Sequence, residues 1–197
     1  MKEKRALLIV DVQNDFCPGG ALAVPQGDRV VPVFNKCIEV FMKQKSPILA
    51  DRDWHPSKTK HFKAYGGLWP PHCIQNSPGA LFHPDLKLPK ETIIVSKGMD
   101  PQKDSYSAFE ALDERGRTFL DLLNSLGIHD LFVGGLATDY CVKLSVLDAL
   151  KYGFGVYLLT DAIKGIDVRP GDSQKAVDEM TARGAQKITS SDLSDFF

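Results

Sequence analysis

The stretch Ala6-Leu7-Leu8-Ile9-Val10-Asp11 is five apolar residues in a row closed by a carboxylate. A half-exposed strand would alternate apolar and polar residues, whereas an unbroken run is the mark of a strand covered on both faces. Similar short runs recur at Ile48–Ala50, Thr92–Ser96, Leu131–Val133 and Val156–Leu159, with a weaker one at Gln186–Thr189. Between them lie stretches with helical spacing. Val30, Val33, Phe34, Cys37, Ile38 and Phe41 form one apolar stripe, with Pro32 in its first turn. Phe119, Leu122, Leu123 and Leu126 form a second, stopped by Gly127, and Val142, Val146, Leu147 and Leu150 a third, stopped by Gly153. A fourth runs from about Ser173 to Arg183 and ends at Gly184. Strands alternating with helices predict an α/β fold: a doubly wound, six-stranded, mainly parallel sheet with helices on both faces. A length of 197 residues predicts a single domain, 1–197.

Composition narrows the function classes. Hydrophobic residues make up 43 % and charged residues 25 %, which excludes wholesale disorder. With 24 Lys and Arg against 25 Asp and Glu, the chain has no bulk field to draw it to nucleic acid or anionic lipid. No apolar run approaches the ~20 residues of a membrane-spanning helix. The basic start from Lys2 to Arg5 imitates a signal peptide, but the run that follows is too short and ends at Asp11. A cytoplasmic protein with reduced thiols at Cys17, Cys37, Cys73 and Cys141 is therefore expected.

One region breaks the pattern. Residues 51–88 show little periodicity but much Pro, Gly, His and Trp, and a loop region this long is usually functional when it is ordered. Its aromatics, Trp54, Phe62, Tyr65, Trp69 and Phe82, argue for order.

Ligands of open parallel sheets bind beyond the carboxyl ends of the strands. Asp11, Asp51 to Asp53, Lys97 and Asp161 stand at such ends, and the fourth predicted strand runs into Gly134 to Cys141 before a helix. Cys141 is expected in the first turn of that helix, where free amides and the helix dipole lower a thiol pKa. Asp11 is a candidate base for it and Lys97 a candidate counter-charge. Taken residue by residue, the alternatives stay open: a buried structural Cys, a turn-capping Asp, a solvated Lys. Asp53, His55, His61 and His72 offer N and O donors that suit zinc or iron, and scattered surface histidines are the competing reading. His83 and His129 read as surface residues, and Cys17, Cys37 and Cys73 as structural.

Five segments together carry a resemblance over essentially the whole chain: LLIVDVQNDFCPGGAL (Leu7–Leu22), DRDWHPSKTKHF (Asp51–Phe62), GGLWPPHCIQNSPGA (Gly66–Ala80), SKGMDPQKDSYSAF (Ser96–Phe109) and GLATDYCV (Gly135–Val142). The chain resembles the nicotinamidase/pyrazinamidase branch of the isochorismatase-like cysteine hydrolases. That resemblance implies a catalytic triad of Asp11, Lys97 and Cys141, and an oxyanion hole from the Ala137 and Cys141 amides after a cis Leu136–Ala137 bond. It implies one divalent metal ion, zinc or iron, on Asp53, His55 and His72, with His61 a ligand in some members, so that residues 51–88 become a metal-binding loop region. It places Phe16, Leu22, Trp69, Tyr106 and Leu136 around the substrate. The Tyr140 of the TDYC segment is expected to have little effect on the chemistry. The activity implied is hydrolysis of nicotinamide, with pyrazinamide as a further substrate, through a Cys thioester in NAD salvage. The partner implied is a small molecule, with neither nucleic acid nor membrane, in a chain whose relatives often form homo-oligomers. Rival readings are a sibling hydrolase such as an isochorismatase or an N-carbamoyl amidase, a metallohydrolase with an inert Cys141, and a binding protein with a structural metal.

Overall fold

The computed structural model describes residues 4–197, so Lys2 and Glu3 of the basic start lie outside the described residues. Seven strands form one sheet: β1 (Lys4–Val10), β2 (Ile48–Asp53), β3 (Ile93–Lys97), β4 (Leu112–Asp113), β5 (Ile128–Leu136), β6 (Gly155–Lys164) and β7 (Gln186–Ile188). Their spatial order is β4-β3-β2-β1-β5-β6-β7. All neighbours pair in parallel except β3 and β4. The sheet thus has one strand more than expected. The addition is a two-residue antiparallel strip on the outer edge, too short to leave a periodic signal. The four expected helices are α1 (Val30–Lys43), α2 (Phe119–Leu126), α3 (Lys143–Lys151) and α4 (Asp172–Ala182). No helix among the described residues is long and apolar enough to cross a membrane.

Alternation along β1 distributes the core. Leu7 and Ile9 face Phe34, Ile38 and Phe41 of α1, while Ala6, Leu8 and Val10 face Phe119 and Leu122 of α2, Val146 of α3 and Met180 of α4. Both faces are therefore dry, which explains the unbroken apolar run. α1 accepts Pro32 as its third residue because the first-turn amides have no partner inside the helix. Thr118 caps α2 by accepting from the Asp121 amide at 3.1 Å, an arrangement worth about 1 kcal/mol. Gly127 ends that helix at φ +67°.

The strand order fixes where a site belongs. From β1 the chain winds outward through β2 and β3, then returns to lay β5 on the other side of β1. That reversal opens a crevice at the carboxyl ends of β1 and β5. β5 comes unusually close there. A Cβ on Gly135, at φ +129°, would collide with the Val10 carbonyl, so glycine is required.

Candidate active site

The strand ends bring Asp11, Asp51, Asp53 and Lys97 into one buried cluster. Val10 lies in register with Asp51, and Asp53 with Lys97. Asp51 and Asp53 are two residues apart on one strand, so their side chains share a face. Lys97 Nζ stands 2.6 Å from Asp11 Oδ1, 2.6 Å from Asp51 Oδ2 and 3.2 Å from Asp53 Oδ1. Asp11 reaches it by leaving the strand at φ +51°, with the Gln13 amide donating back to its carbonyl at 2.8 Å.

One ammonium faces three carboxylates away from water, and the protonation states follow. Burial pushes Asp11 well above the usual carboxylate range; Lys97 pulls it back, while Asp53 and Asp51 push it further up. Asp51 is raised to about 6, by burial against the pull of Lys97. For Asp53, burial also acts upward, but Lys97 and the adjoining His55 and His72 imidazoles together hold it well below the ordinary value. Burial alone would lower Lys97, and the three carboxylates overcome this and keep it charged. Asp11 thus holds a proton more tightly than an ordinary carboxylate does.

Cys141 follows β5 in a π-helical turn, Thr138–Val142, rather than in the regular first turn of a helix. The Tyr140 and Val142 amides both donate to the Ala137 carbonyl at 3.1 Å, folding the turn around Cys141. The Leu136–Ala137 peptide is cis. The expectation of a lowered thiol pKa is not met. Burial pushes the Cys141 thiol well up, the Asp11 carboxylate pushes it further, and Lys97 opposes both. A buried thiol beside a carboxylate holds its proton until that carboxylate takes it. Burial also raises Cys17 to about 11 and Cys37 to about 12, and all four cysteines are free.

Beside this cluster lie three buried histidines, His55, His61 and His72, whose ligand atoms all fall within 4.8 Å of one another. Asp53 Oδ2 is 3.3 Å from His55 Nε2 and 3.7 Å from His72 Nε2. The His55 Nε2 atom is buried without a hydrogen-bond partner, a costly arrangement that a cation would relieve. Each Nδ1 is engaged elsewhere: His55 with the Gly98 carbonyl at 3.1 Å, His72 with the Pro70 carbonyl at 2.8 Å and His61 with Asp104 at 2.8 Å. Gly98, at φ +71°, is obligatory because a Cβ there would enter the His55 ring. Burial, then His55, holds His61 below the usual His range, against Asp104. One carboxylate and three imidazoles with convergent free nitrogens are donors that suit zinc or iron.

A narrow cavity of about 20 Å³ joins the two clusters. Phe16, Leu22, Trp69 and Tyr106 line it as expected, together with Asp53, His61, His72, Ala137 and Cys141. Leu136 does not. Strand alternation turns it into the core beside Phe16 and Val24, and Leu136 is fully buried there. Tyr140 and Ile166 complete the wall instead. Tyr140 meets Trp69 edge-on at 5.0 Å, and Trp69 Nε1 donates to the Tyr106 hydroxyl at 3.0 Å. Asp161 lies elsewhere, bound to the Ser190 amide and hydroxyl. A larger groove of about 490 Å³ opens at the amino ends of β2 and β3, but its lining contains no Cys, His or Asp.

Sequence reasoning missed three supports. Asp51 is the second carboxylate on Lys97, and its i, i+2 relation to Asp53 was visible in the strand. Gln13 clamps Asp53 by accepting from its amide at 2.8 Å and donating to its carbonyl at 2.8 Å and to the Ala80 carbonyl at 2.9 Å. Asp104 touches His61 from 43 residues away, with no local signal.

The family model of the isochorismatase domain matches residues 5–192. The chain belongs to the isochorismatase family. Among its relatives, a nicotinamidase of Escherichia coli K12 is 44 % identical, with 97 % of each chain covered. A nicotinamidase/pyrazinamidase of Mycobacterium tuberculosis is 35 % identical over 95 % of this chain and 100 % of its own. Among solved structures, the zinc complex of Pyrococcus horikoshii pyrazinamidase superposes with a TM-score of 0.87 at 45 % identity, covering 94 % of this chain and 99 % of that one. These family members share the α/β sheet with helices on both faces.

Proposed function

We propose that this chain acts as a single-domain cytoplasmic amidase that hydrolyses nicotinamide to nicotinate and ammonia, in NAD salvage, and that it also accepts pyrazinamide. The observation that carries the reading is Cys141 on the wall of a cavity lined by aromatics and by His61, His72 and Asp53, with Asp11 beside the thiol and Lys97 on Asp11 behind it. Identity to nicotinamidases over nearly the full chain supports the substrate.

The Asp11 carboxylate takes the Cys141 proton once substrate has entered and widened the cavity, and the thiolate attacks the carboxamide carbon. The Ala137 and Cys141 amides receive the oxyanion. Asp11 returns the proton to the nitrogen, the C–N bond breaks, and ammonia leaves a thioester on Cys141. Water then attacks the thioester carbon, with Asp11 again as base. The C–S bond breaks, nicotinate leaves, and Asp11 returns a proton to the Cys141 sulfur. Lys97 holds Asp11 in place and offsets the negative charge passed between base and thiol. Asp53, His55, His61 and His72 would hold one divalent cation, zinc or iron, whose chemistry there is Lewis-acid binding of the pyridine ring nitrogen. Phe16, Leu22, Trp69 and Tyr106 sandwich the ring. The test is ammonia release from nicotinamide, with and without a chelator. Turnover that chelation abolishes and zinc or iron restores is expected, and absence of ammonia release from the metal-loaded protein overturns the reading.

A further inference from the structure

Three histidines point one nitrogen each toward a common centre, and what fixes the other nitrogen differs among them. His55 and His72 donate Nδ1–H to the backbone carbonyls of Gly98 and Pro70. A carbonyl only accepts, so each ring carries its proton on Nδ1 and leaves Nε2 bare. No side-chain substitution removes those partners. His61 instead relies on Asp104 Oδ1, 2.8 Å from its Nδ1. The His61 ring is 2 % exposed, stacked on His55 at 4.5 Å, whereas the Asp104 side chain is 53 % exposed. The loop bearing Asp104 is tied to the loop bearing His61 by the Lys60 amide, which donates to the Pro101 carbonyl at 2.9 Å.

We propose that Asp104 is the positioning residue of the metal centre, holding His61 in the tautomer that presents Nε2. The inference rests on the reading of His61 as a ligand. A neutral imidazole without an acceptor at Nδ1 is free to carry its proton on Nε2, and in that form it cannot ligate through Nε2. A carboxylate at Nδ1 removes that form, fixes the ring plane and raises the basicity of the bare nitrogen. The centre therefore has two ligating histidines oriented by the backbone and one by a replaceable, half-exposed side chain.

The experiment measures zinc affinity by competition with a chromophoric chelator, using protein stripped of metal and titrated back. Asp104→Ala should weaken zinc binding by roughly 10-fold. Asp104→Asn should recover most of that loss, because its amide oxygen still accepts from Nδ1–H. Asp100→Ala removes a carboxylate of the same loop that accepts from the Gln102 amide and pairs with Lys103 at 3.9 Å but touches no histidine, and should leave affinity unchanged. His61→Ala should weaken binding at least as much as Asp104→Ala. If His61→Ala binds zinc as tightly as wild type, the ligand reading fails and the inference falls with it. If His61→Ala weakens zinc binding while Asp104→Ala does not, only the positioning role is overturned. An equal loss in Asp100→Ala and Asp104→Ala overturns it too, because the loop and not the hydrogen bond would then set the affinity.

Discussion

Two buried polar clusters share Asp53, and they are balanced in opposite ways. Around Lys97, the chain supplies its own cation to three carboxylates. Around His55, His61 and His72, the chain supplies one carboxylate and three imidazoles, and a buried Nε2 is left without a partner. The first cluster carries its own counter-charge, and burial first, then the neighbouring carboxylates, raise Asp11 against the pull of Lys97. The second becomes complete only when a cation enters. On the proposed reading, the two clusters divide two tasks at neighbouring strand ends: moving a proton and holding a substrate.

Cys141→Ala should give the largest effect. It removes the proposed nucleophile while leaving every charged member of both clusters in place, so kcat should fall by roughly 10³-fold or more while fold and metal content stay. Ammonia release and metal analysis check this, and activity within tenfold of wild type would sink the thioester route. Lys97→Met breaks the first cluster by leaving its carboxylates without a cation. Uncompensated buried charge costs about 3–5 kcal/mol, readable by urea unfolding. Lys97 pulls the Asp11 pKa down, so its loss sends that pKa higher and moves the acid limb of kcat/KM to higher pH. An unmoved limb with normal stability would remove Lys97 from the account.

His55→Ala or His72→Ala attacks the second cluster. Benzamide keeps the reacting amide but lacks the ring nitrogen, so wild type should strongly prefer nicotinamide. Either variant should narrow that preference by roughly tenfold or more, because positioning is what the anchor supplies. A fixed ratio of kcat/KM for the two amides would show that the His cluster does not read the ring. The smallest effect is expected away from both clusters, at Cys37 on the buried face of α1, raised by burial to about 12. A thiol whose folded pKa is raised stabilises fully below its unfolded value and loses that contribution as pH climbs toward the folded one. Unfolding free energy should therefore fall above pH ~8.5 by about 1.4 kcal/mol per pH unit from this thiol, and Cys37→Ala should flatten the slope. Parallel slopes would show that Cys37 ionises equally in both states.

The parts legible in the sequence were those with a local period. Ala6–Val10 and the α1 stripe declared themselves because burial on two faces or one leaves a run or a spacing. Strand ends were legible only as far as the apolar run: β2 continues through Asp51 to Asp53, and β5 through two glycines to Leu136, because the sheet pairs backbones whatever the side chains. β4 has two residues and no period. Within the site, the motif residues fell where strand-end reasoning put them, but Leu136 turned inward, and the Cys141 thiol went up where helix-terminus reasoning sent it down. Desolvation depends on everything packed around a group, which spacing along the chain does not record. Asp104 was illegible for the same reason.

The proposed reaction stands or falls with a thioester between Cys141 and the acyl group of nicotinamide. The most direct measurement is mass spectrometry of the metal-loaded protein, acid-quenched during turnover of nicotinamide and digested. A nicotinoyl group on the Cys141 peptide is expected, chased to nicotinate with time and absent from Cys17, Cys37 and Cys73. Undiminished ammonia release with no adduct at Cys141, in a protein whose Cys141→Ala variant also turns over normally, would contradict it.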